Sequence, residues 1–243
     1  MDAKLYWFPL SHPSQAVRRM LDLKDIDYEL AGVLPGNQRV HLRLAGFRGG
    51  TVPALKLGGQ RVQGSRTISR ALDAARPAPA LFPADPDESR AVEGAERWGD
   101  EEFQPVPRRI LRWALTGNIE LRRWLAGQTA VPMAGALARV SGLNARYYAK
   151  VAGATEDAAR RDVAALPAHL DRVDRMLHDG LISPATPNAA AYQVLCTVRS
   201  LDGFSDFQKV LAGRPSTAAA RQLFPDHFSL SPAPPFVPPG WLA

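Results

Sequence analysis

Segment 76–87 limits the fold of this chain more than any other feature, because it contains four prolines. Proline lacks a backbone N–H and fixes φ, so this segment cannot continue a helix or a central strand. It is typical of a linker between domains. Before it, strand-like and helical runs alternate, whereas after it the pattern is almost entirely helical. The sequence therefore predicts two domains, at 1–76 and 88–228, joined by a linker at 77–87.

The first domain is predicted to hold a small mixed sheet. Strand patterns cover 4–8, 28–33, 52–57 and 60–63, and helical patterns cover 14–24, 38–45 and 65–75. The pair Gly58 and Gly59 separates the last two strands and is typical of a hairpin turn. The order β-α-β-α-β-β-α predicts an α/β domain.

The second domain is predicted to be all-helical. Helical patterns cover 88–102, 108–117, 118–127, 131–150, 156–179, 187–201 and 216–224. Pro167 is expected to start or kink the fifth of these helices. Thr186 as N-cap and Pro187 at the first helical position predict the start of the sixth. The final segment, 229–243, contains five prolines and is expected to be extended on the surface or disordered.

Composition narrows the class of protein. Hydrophobic residues make up 46% of the chain and charged residues 22%, which is typical of globular proteins and not of disordered chains. The sequence shows neither a membrane span nor a secretory signal, so we expect a cytoplasmic protein with no membrane partner. The single cysteine, Cys196, excludes an internal disulfide and a cluster of cysteine metal ligands, and we predict no metal site.

The net charge of +6 raises the question of an anionic partner. A basic protein can bind nucleic acid, but here the arginines are scattered among acidic residues and form no long basic run. We therefore predict no nucleic-acid partner. A basic cleft for a small anionic ligand explains the charge at least as well.

Ser11 is the first candidate for chemistry, because it lies just before a helix that Pro13 can initiate. A hydroxyl in this position either caps the helix or donates a hydrogen bond to an anion near the positive helix end. Tyr6, His12 and Ser14 are nearby alternatives for the same role.

Val52 and Pro53 are the second candidate feature. A proline at the start of a strand can follow a cis peptide bond, which would leave the backbone of Val52 unpaired. Ser65 lies beyond the hairpin at the start of a helix, where partial positive charge favours anions. These two segments could together hold a peptide-like anionic ligand.

These segments resemble the thioredoxin-like N-terminal domain of the cytosolic glutathione transferase superfamily. The resemblance is carried by the strand 5–8, the loop 11–14, the segment 51–55 and the segment 63–68. The helical remainder, with the helix start at Thr186, resembles the C-terminal domain of that superfamily. The resemblance implies a thioredoxin-like domain followed by a helical bundle, and a homodimer with glutathione as cosubstrate and no further cofactor.

The resemblance also implies roles for individual residues. Ser11 matches the catalytic position that stabilises the thiolate of glutathione. The other matches are to glutathione-binding positions, namely Val52, Pro53, Gln63, Ser65 and Arg66. The chain departs from the superfamily at Gly64, where an acid or glutamine is usual, and at Ala189, where an aspartate is usual.

The implied activity is conjugation of glutathione to a small hydrophobic electrophile. The electrophile is expected in an apolar cleft between the domains. Its predicted lining, for which plain core packing is the alternative, is Phe8, Leu10, Phe103, Arg109 and Trp113. Thiol–disulfide exchange is not expected, because Ser11 and Ser14 cannot supply a thiolate. A non-catalytic binding module and a transferase that uses another thiol remain open alternatives.

Overall fold

The computed structural model describes residues 2–33, 38–127, 138–139, 141–226 and 233–242. Its strands are β1 (Ala3–Trp7), β2 (Tyr28–Gly32), β3 (Ala54–Leu57) and β4 (Gln60–Gln63). The helices before the proline-rich segment are α1 (His12–Leu23), α2 (Gln38–Leu44) and α3 (Ser65–Ala75). The helices after it are α4 (Pro86–Trp98), α5 (Pro105–Gly117), α6 (Ile119–Gly127), α7 (Gly142–Val151), α8 (Glu156–His178), α9 (Ala189–Asp202), α10 (Gln208–Leu211) and α11 (Pro215–Leu223).

The strands form one mixed sheet in the order β2-β1-β3-β4. Strand β1 is parallel to β2 and antiparallel to β3, and β3 is antiparallel to β4. In this register Ala54 lies opposite both Tyr6 and Gln63. The last residues of β1 and β4 therefore lie beside the first residue of β3, and we call this end of the strands the sheet edge. The predicted α/β domain followed by an all-helical domain is confirmed. Strand β3 begins two residues later than predicted, after Pro53.

Helix α9 is the centre of the core. Every residue from Ala189 to Val198 is at most 2% exposed. Helix α1 of the first domain and helices α4 and α11 of the second all pack against it. Cys196 lies within α9, where its burial raises the pKa of the thiol, and its Sγ donates to the carbonyl of Gln193 at 3.2 Å. Cys196 is therefore part of the buried core.

The predicted start of α9 at Thr186 is wrong by two residues. Asn188 is the N-cap, since its Oδ1 accepts a hydrogen bond from the Ala191 N–H at 2.9 Å. The Asn188 Nδ2 also donates to the carbonyl of Leu181 at 2.8 Å, which ties the cap to the preceding loop. Thr186 and Asn188 can both cap a helix, and Asn188 is the one that does so here.

Helices α4 and α5 are joined by a π-helical turn at Gly99–Phe103, whereas the sequence predicted two separate helices. Helix α4 also begins two residues earlier than predicted, because the Asp85 carboxylate accepts from the Asp87 and Glu88 N–H groups at 2.9 and 3.0 Å. Pro167 lies inside α8, which continues on both sides of it. Much of the predicted helix 131–150 lies outside the described residues, and α7 accounts for its second half.

The described part of the C-terminal tail packs against the helical domain. The N–H groups of Phe236 and Val237 donate to the Asp206 carboxylate at 3.1 and 3.0 Å. The Trp241 ring stacks on the Trp113 ring of α5, with centroids 4.8 Å apart. Residues 233–242 of the tail therefore pack against the helical domain, with Ala233 and Phe236 buried in the core. No described helix is both long and apolar enough to cross a membrane.

Lys24 fixes the segment between the domains. Its Nζ is fully buried and donates to the Asp73 carboxylate at 2.6 Å. It also donates to the carbonyls of Arg76 and Pro79 at 2.7 and 2.5 Å. The end of α1 is thus joined through one ammonium group to the end of α3 and to the proline-rich segment.

We predict that Lys24→Met strongly destabilises the fold, because it leaves buried carbonyls and the Asp73 carboxylate without their donor. Breaking a buried ion pair costs about 3–5 kcal/mol. Urea unfolding measures this loss. The control is Lys4→Met, which removes an exposed ion pair with Glu29. Equal effects of the two substitutions would contradict the structural role given to Lys24.

Candidate functional site

Three segments meet at the sheet edge where β1 and β4 end and β3 begins. The loop that follows β1 leads to Ser11, the residues before β3 are Val52 and Pro53, and β4 leads into Ser65. The Gly64 N–H donates to the carbonyl of Pro53 at 3.0 Å and joins two of these segments directly. The sheet topology therefore brings together the principal site residues that the sequence singled out.

Ser11 is the N-cap of α1, but its side chain makes no capping hydrogen bond. Instead its Oγ accepts from the Oγ of Ser14 at 2.9 Å. Ser14 is fully buried and Ser11 is only partly buried. Because the Ser14 hydroxyl donates in this pair, the Ser11 hydrogen is left for another acceptor.

The bond between Val52 and Pro53 is cis, as the sequence predicted. Among the described residues, neither the N–H nor the carbonyl of Val52 has a protein hydrogen-bond partner. An extended peptide could therefore pair with this backbone, as a strand pairs with a sheet edge.

Ser65 begins α3 and is buried. Its hydroxyl has no hydrogen-bond partner among the described residues, and no side chain caps the helix. The preceding Gly64 has φ +89°, a left-handed conformation that favours glycine, and a Cβ added there would meet no atom within 4 Å. The first N–H groups of α3 thus face a position where an anion would be stabilised.

Gln63 has a different role from the one the resemblance implied. Its Nε2 donates to the carbonyl of Thr51 at 2.7 Å, and its Oε1 accepts from the Gly49 N–H at 2.9 Å. Both ends of its amide are used to hold the loop before the cis bond. Gln63 therefore holds the loop that leads to Val52.

Arg66, the second residue of α3, lies close to three acidic side chains. Its Nη1 binds Glu101 at 2.9 Å, and Asp100 lies 3.9 Å from the same atom. Glu96 is 3.8 Å from its Nε. The guanidinium therefore connects α3 to α4 and the π-helical turn, and in this arrangement it is not directed at a thiol ligand.

Three of the residues predicted to line an electrophile cleft contact other side chains. Phe103 has no exposed surface and stacks on both Trp98 and His169, with centroids 5.3 and 5.5 Å away. Arg109 makes a bidentate ion pair with Asp162 at 2.7 and 2.6 Å. Trp113 is covered by the C-terminal tail. Helical spacing alone could not show these partners, which come from distant parts of the chain.

Phe8 and Leu10 remain at the sheet edge, in the partly buried loop before Ser11. The alternatives to Ser11 are less well placed. His12 is buried in the first turn of α1. The Tyr6 ring packs against Phe47 at 5.3 Å in a small buried cluster.

A buried carboxylate that the sequence did not reveal lies between α3 and α4. Glu96 has no exposed surface, and its oxygens accept from Ser69 and Arg70, each at 2.7 Å. Burial raises the pKa of this carboxyl, and the two hydrogen bonds oppose that shift. An acid in the middle of a helical pattern gave no signal for burial, because its partners lie on another helix.

We predict that Glu96 makes stability depend on pH. A carboxyl with a higher pKa in the folded protein binds its proton more tightly there than in the unfolded chain. Its contribution to stability is present below about pH 4.3, the usual glutamate pKa, and is lost as pH rises through the folded pKa. Wild type should therefore lose stability relative to Glu96→Gln across this range, as measured by urea unfolding.

The matched control for this experiment is Glu102→Gln, which removes one exposed negative charge from the adjacent π-helical turn. A stability difference between wild type and Glu96→Gln that stays constant with pH would show that Glu96 ionises in the folded protein as it does in the unfolded chain.

Comparison with protein families finds one match in the first domain. Residues 5–80 match the family described as glutathione S-transferase, N-terminal domain. The match includes Ser11, Val52, Pro53 and Ser65. Comparison with curated protein sequences finds no match.

Comparison with solved structures finds the same two-domain fold over nearly the whole chain. A glutathione S-transferase from Sinorhizobium meliloti 1021 is 17% identical, with a TM-score of 0.63 over 96% of both chains. One from Rhodospirillum rubrum F11 is 19% identical, with a TM-score of 0.60 over 99% of this chain and 98% of that one. A β-etherase from Sphingobium sp. strain SYK-6 is 19% identical, with a TM-score of 0.62 over 90% and 98%.

Proposed function

Because residues 5–80 belong to the glutathione S-transferase N-terminal domain family and the chain has the glutathione transferase fold, we propose that it conjugates glutathione to an electrophile. The observation that carries this proposal is the hydroxyl of Ser11 at the edge that also holds the unpaired backbone of Val52. A hydroxyl donor and a free backbone edge are what a cysteinyl peptide with an activated thiol requires.

Glutathione lies along the sheet edge in this proposal. Its cysteinyl N–H and carbonyl pair with the carbonyl and N–H of Val52, which have no partner among the described residues. Its γ-glutamyl carboxylate faces the first N–H groups of α3 and the hydroxyl of Ser65, where the helix dipole favours negative charge. Gln63 supports this arrangement indirectly by holding the loop in front of the cis bond.

Ser11 stabilises the thiolate. Its oxygen accepts from Ser14, so its own hydrogen can be donated to the sulfur of the bound thiol. Its position at the start of α1 adds the positive end of the helix dipole. A hydrogen bond to a charged partner is worth about 1.5–3 kcal/mol, which lowers the thiol pKa by about one to two units. The thiol proton leaves to water, the thiolate forms a bond to the electrophilic carbon, and the leaving group departs with its electron pair.

A transferase that uses another thiol is the second candidate, and two observations favour it. Gly64 supplies no side chain next to Ser65, and Arg66 is held by acids of α4 and the π-helical turn. Recognition of the γ-glutamyl end then depends on the helix start and Ser65 alone. Conjugation of a model electrophile, assayed with several thiols, separates this candidate from the first. A non-catalytic binding module would conjugate the electrophile with none of these thiols.

We predict that Ser11→Ala lowers the conjugation rate by about 10- to 100-fold at neutral pH, the cost of one charge-assisted hydrogen bond. The variant should keep its fold and most of its affinity for the thiol. Its rate should recover as pH rises towards the pKa of free glutathione, because the thiol of glutathione then loses its proton without help from Ser11. Steady-state kinetics over a range of pH measures this.

Ser14→Ala is the matched variant for this experiment, because it keeps the Ser11 hydroxyl and removes only its inner partner. Its loss of rate should be smaller than that of Ser11→Ala. Full activity in Ser11→Ala, with a loss in Tyr6→Phe, His12→Ala or Ser14→Ala, would move the role to that residue. No conjugation by wild type with any thiol would leave the binding module as the function.

We further propose a homodimer in which the first domain of one copy packs on the helical domain of the other. Two-fold homodimers are the commonest oligomers of soluble proteins, which supports this assembly. Light scattering at micromolar concentration should give twice the chain mass of 26.4 kDa. A mass equal to that of one chain would contradict the proposal.

A further inference from the structure

Arg108 and Arg112 form an unpaired cationic cluster on α5. They lie one helical turn apart, and no carboxylate of the described residues is within ion-pair distance of either guanidinium. The Arg108 Nη2 donates to the neutral side-chain amide of Gln104. The Arg112 guanidinium lies over the ring of Tyr148, 5.9 Å from its centroid.

Other arginines of the described residues are neutralised by carboxylates. Arg109, between the two, is held by both oxygens of Asp162. Arg214 and Arg221 line a cleft of about 620 Å³ at α10 and α11, and they bind Asp174 and Asp202, each at 2.7 Å. Carboxylates therefore balance the guanidinium charges in that cleft, whereas no carboxylate in the described part of the chain balances those of Arg108 and Arg112.

Holding two like charges together away from water costs free energy. Burial lowers the pKa of Arg108 to about 10, and the positive charge of Arg112 contributes to that shift. Burial also lowers the pKa of Arg112. Both groups still carry their protons at neutral pH. An anion placed between them would recover the electrostatic cost, and two planar guanidinium groups present the donors that a carboxylate accepts.

The arginine pair is connected to the thiol end of the site through Asp100. This carboxylate lies 3.9 Å from the Arg66 guanidinium, and Arg66 directly follows Ser65 at the start of α3. The charges of Arg66 and Arg108 both lower the pKa of Asp100 against the effect of its burial. Glu101 of the π-helical turn binds Arg66 at 2.9 Å, and Arg108 follows Glu101 by about two helical turns, so the arginine pair lies on the continuation of the turn that contacts α3.

We infer that Arg108 and Arg112 bind a carboxylate of the second substrate, so that the electrophile is an organic anion. This inference rests on the proposed function and names the substrate class for the same site. It replaces the sequence-based picture of an uncharged apolar electrophile held by Phe103, Arg109 and Trp113, whose side chains are already occupied.

The test compares two electrophiles of nearly the same shape, a chloronitrobenzoate and the corresponding chloronitrobenzamide. In both, the glutathione sulfur forms a bond to the ring carbon, chloride leaves with the bonding electrons, and the thiol proton goes to water. Wild type should prefer the benzoate. Arg108→Gln and Arg112→Gln should each lower kcat/KM for the benzoate by about 10- to 100-fold, and for the benzamide by less.

Arg160→Gln is the matched control, since it removes an exposed arginine from α8. This substitution should leave kcat/KM unchanged for both electrophiles. Equal losses for benzoate and benzamide in the Arg108 and Arg112 variants would overturn the inference. So would a change in mass by light scattering in those variants, which would assign the arginines to a contact between copies.

Direct binding separates this inference from the proposed function. Nitrobenzoate lacks the chloride and cannot react, so calorimetry with it reports the anion site whether or not the protein catalyses conjugation. Binding to wild type that is weakened in Arg108→Gln but not in Arg160→Gln supports the site even if no thiol is conjugated. Binding no tighter than that of nitrobenzamide would overturn it.

Discussion

Burial of α9 is the constraint on which the rest of the structure depends. A helix that is buried on all sides must be enclosed by other elements, and here those elements come from both domains. Helix α1 packs on α9 from the sheet side, and α4 and α11 pack on it from the helical side. Ser11 directly precedes α1, so the packing of α1 on α9 fixes the position of the Ser11 hydroxyl relative to the helical domain. Lys24 adds a second constraint at the other end of α1, where one ammonium group holds α3 and the segment between the domains.

The site itself depends on how the sheet is connected. Antiparallel pairing of β3 with both β1 and β4 brings the start of α1, the cis bond and the start of α3 to one edge. Hydrogen bonds of Gly64 and Gln63 then hold the loop so that the Val52 backbone stays open. The acids that surround Arg66 join this edge to the helical domain, and they also separate it from the arginine pair of α5. The edge supplies recognition of a thiol, and the helical domain supplies the charge that we assign to the second substrate.

Features that depend on local chemistry could be predicted from the sequence, and features that depend on distant partners could not. The cis bond at Val52, the hairpin and the helix start at Ser65 each follow from a few adjacent residues. Gln63 binds Thr51, Arg66 binds Glu101 and Phe103 stacks on Trp98. Residue spacing in the sequence does not show that these partners lie close together in the fold. The start of α9 was missed because two capping residues compete within three positions. Arg108 and Arg112 were visible as charges one turn apart, but their lack of carboxylate partners is a property of the folded chain.

The central claim is that the hydroxyl of Ser11 stabilises a bound thiolate, and the most direct test is the pKa of glutathione on the protein. Ultraviolet difference spectroscopy of the thiolate, titrated with pH on the binary complex, measures it without any electrophile. The account predicts a pKa below that of free glutathione in wild type, and a return of about one to two units towards the free value in Ser11→Ala. An unchanged pKa in Ser11→Ala, with glutathione still bound, would contradict the account.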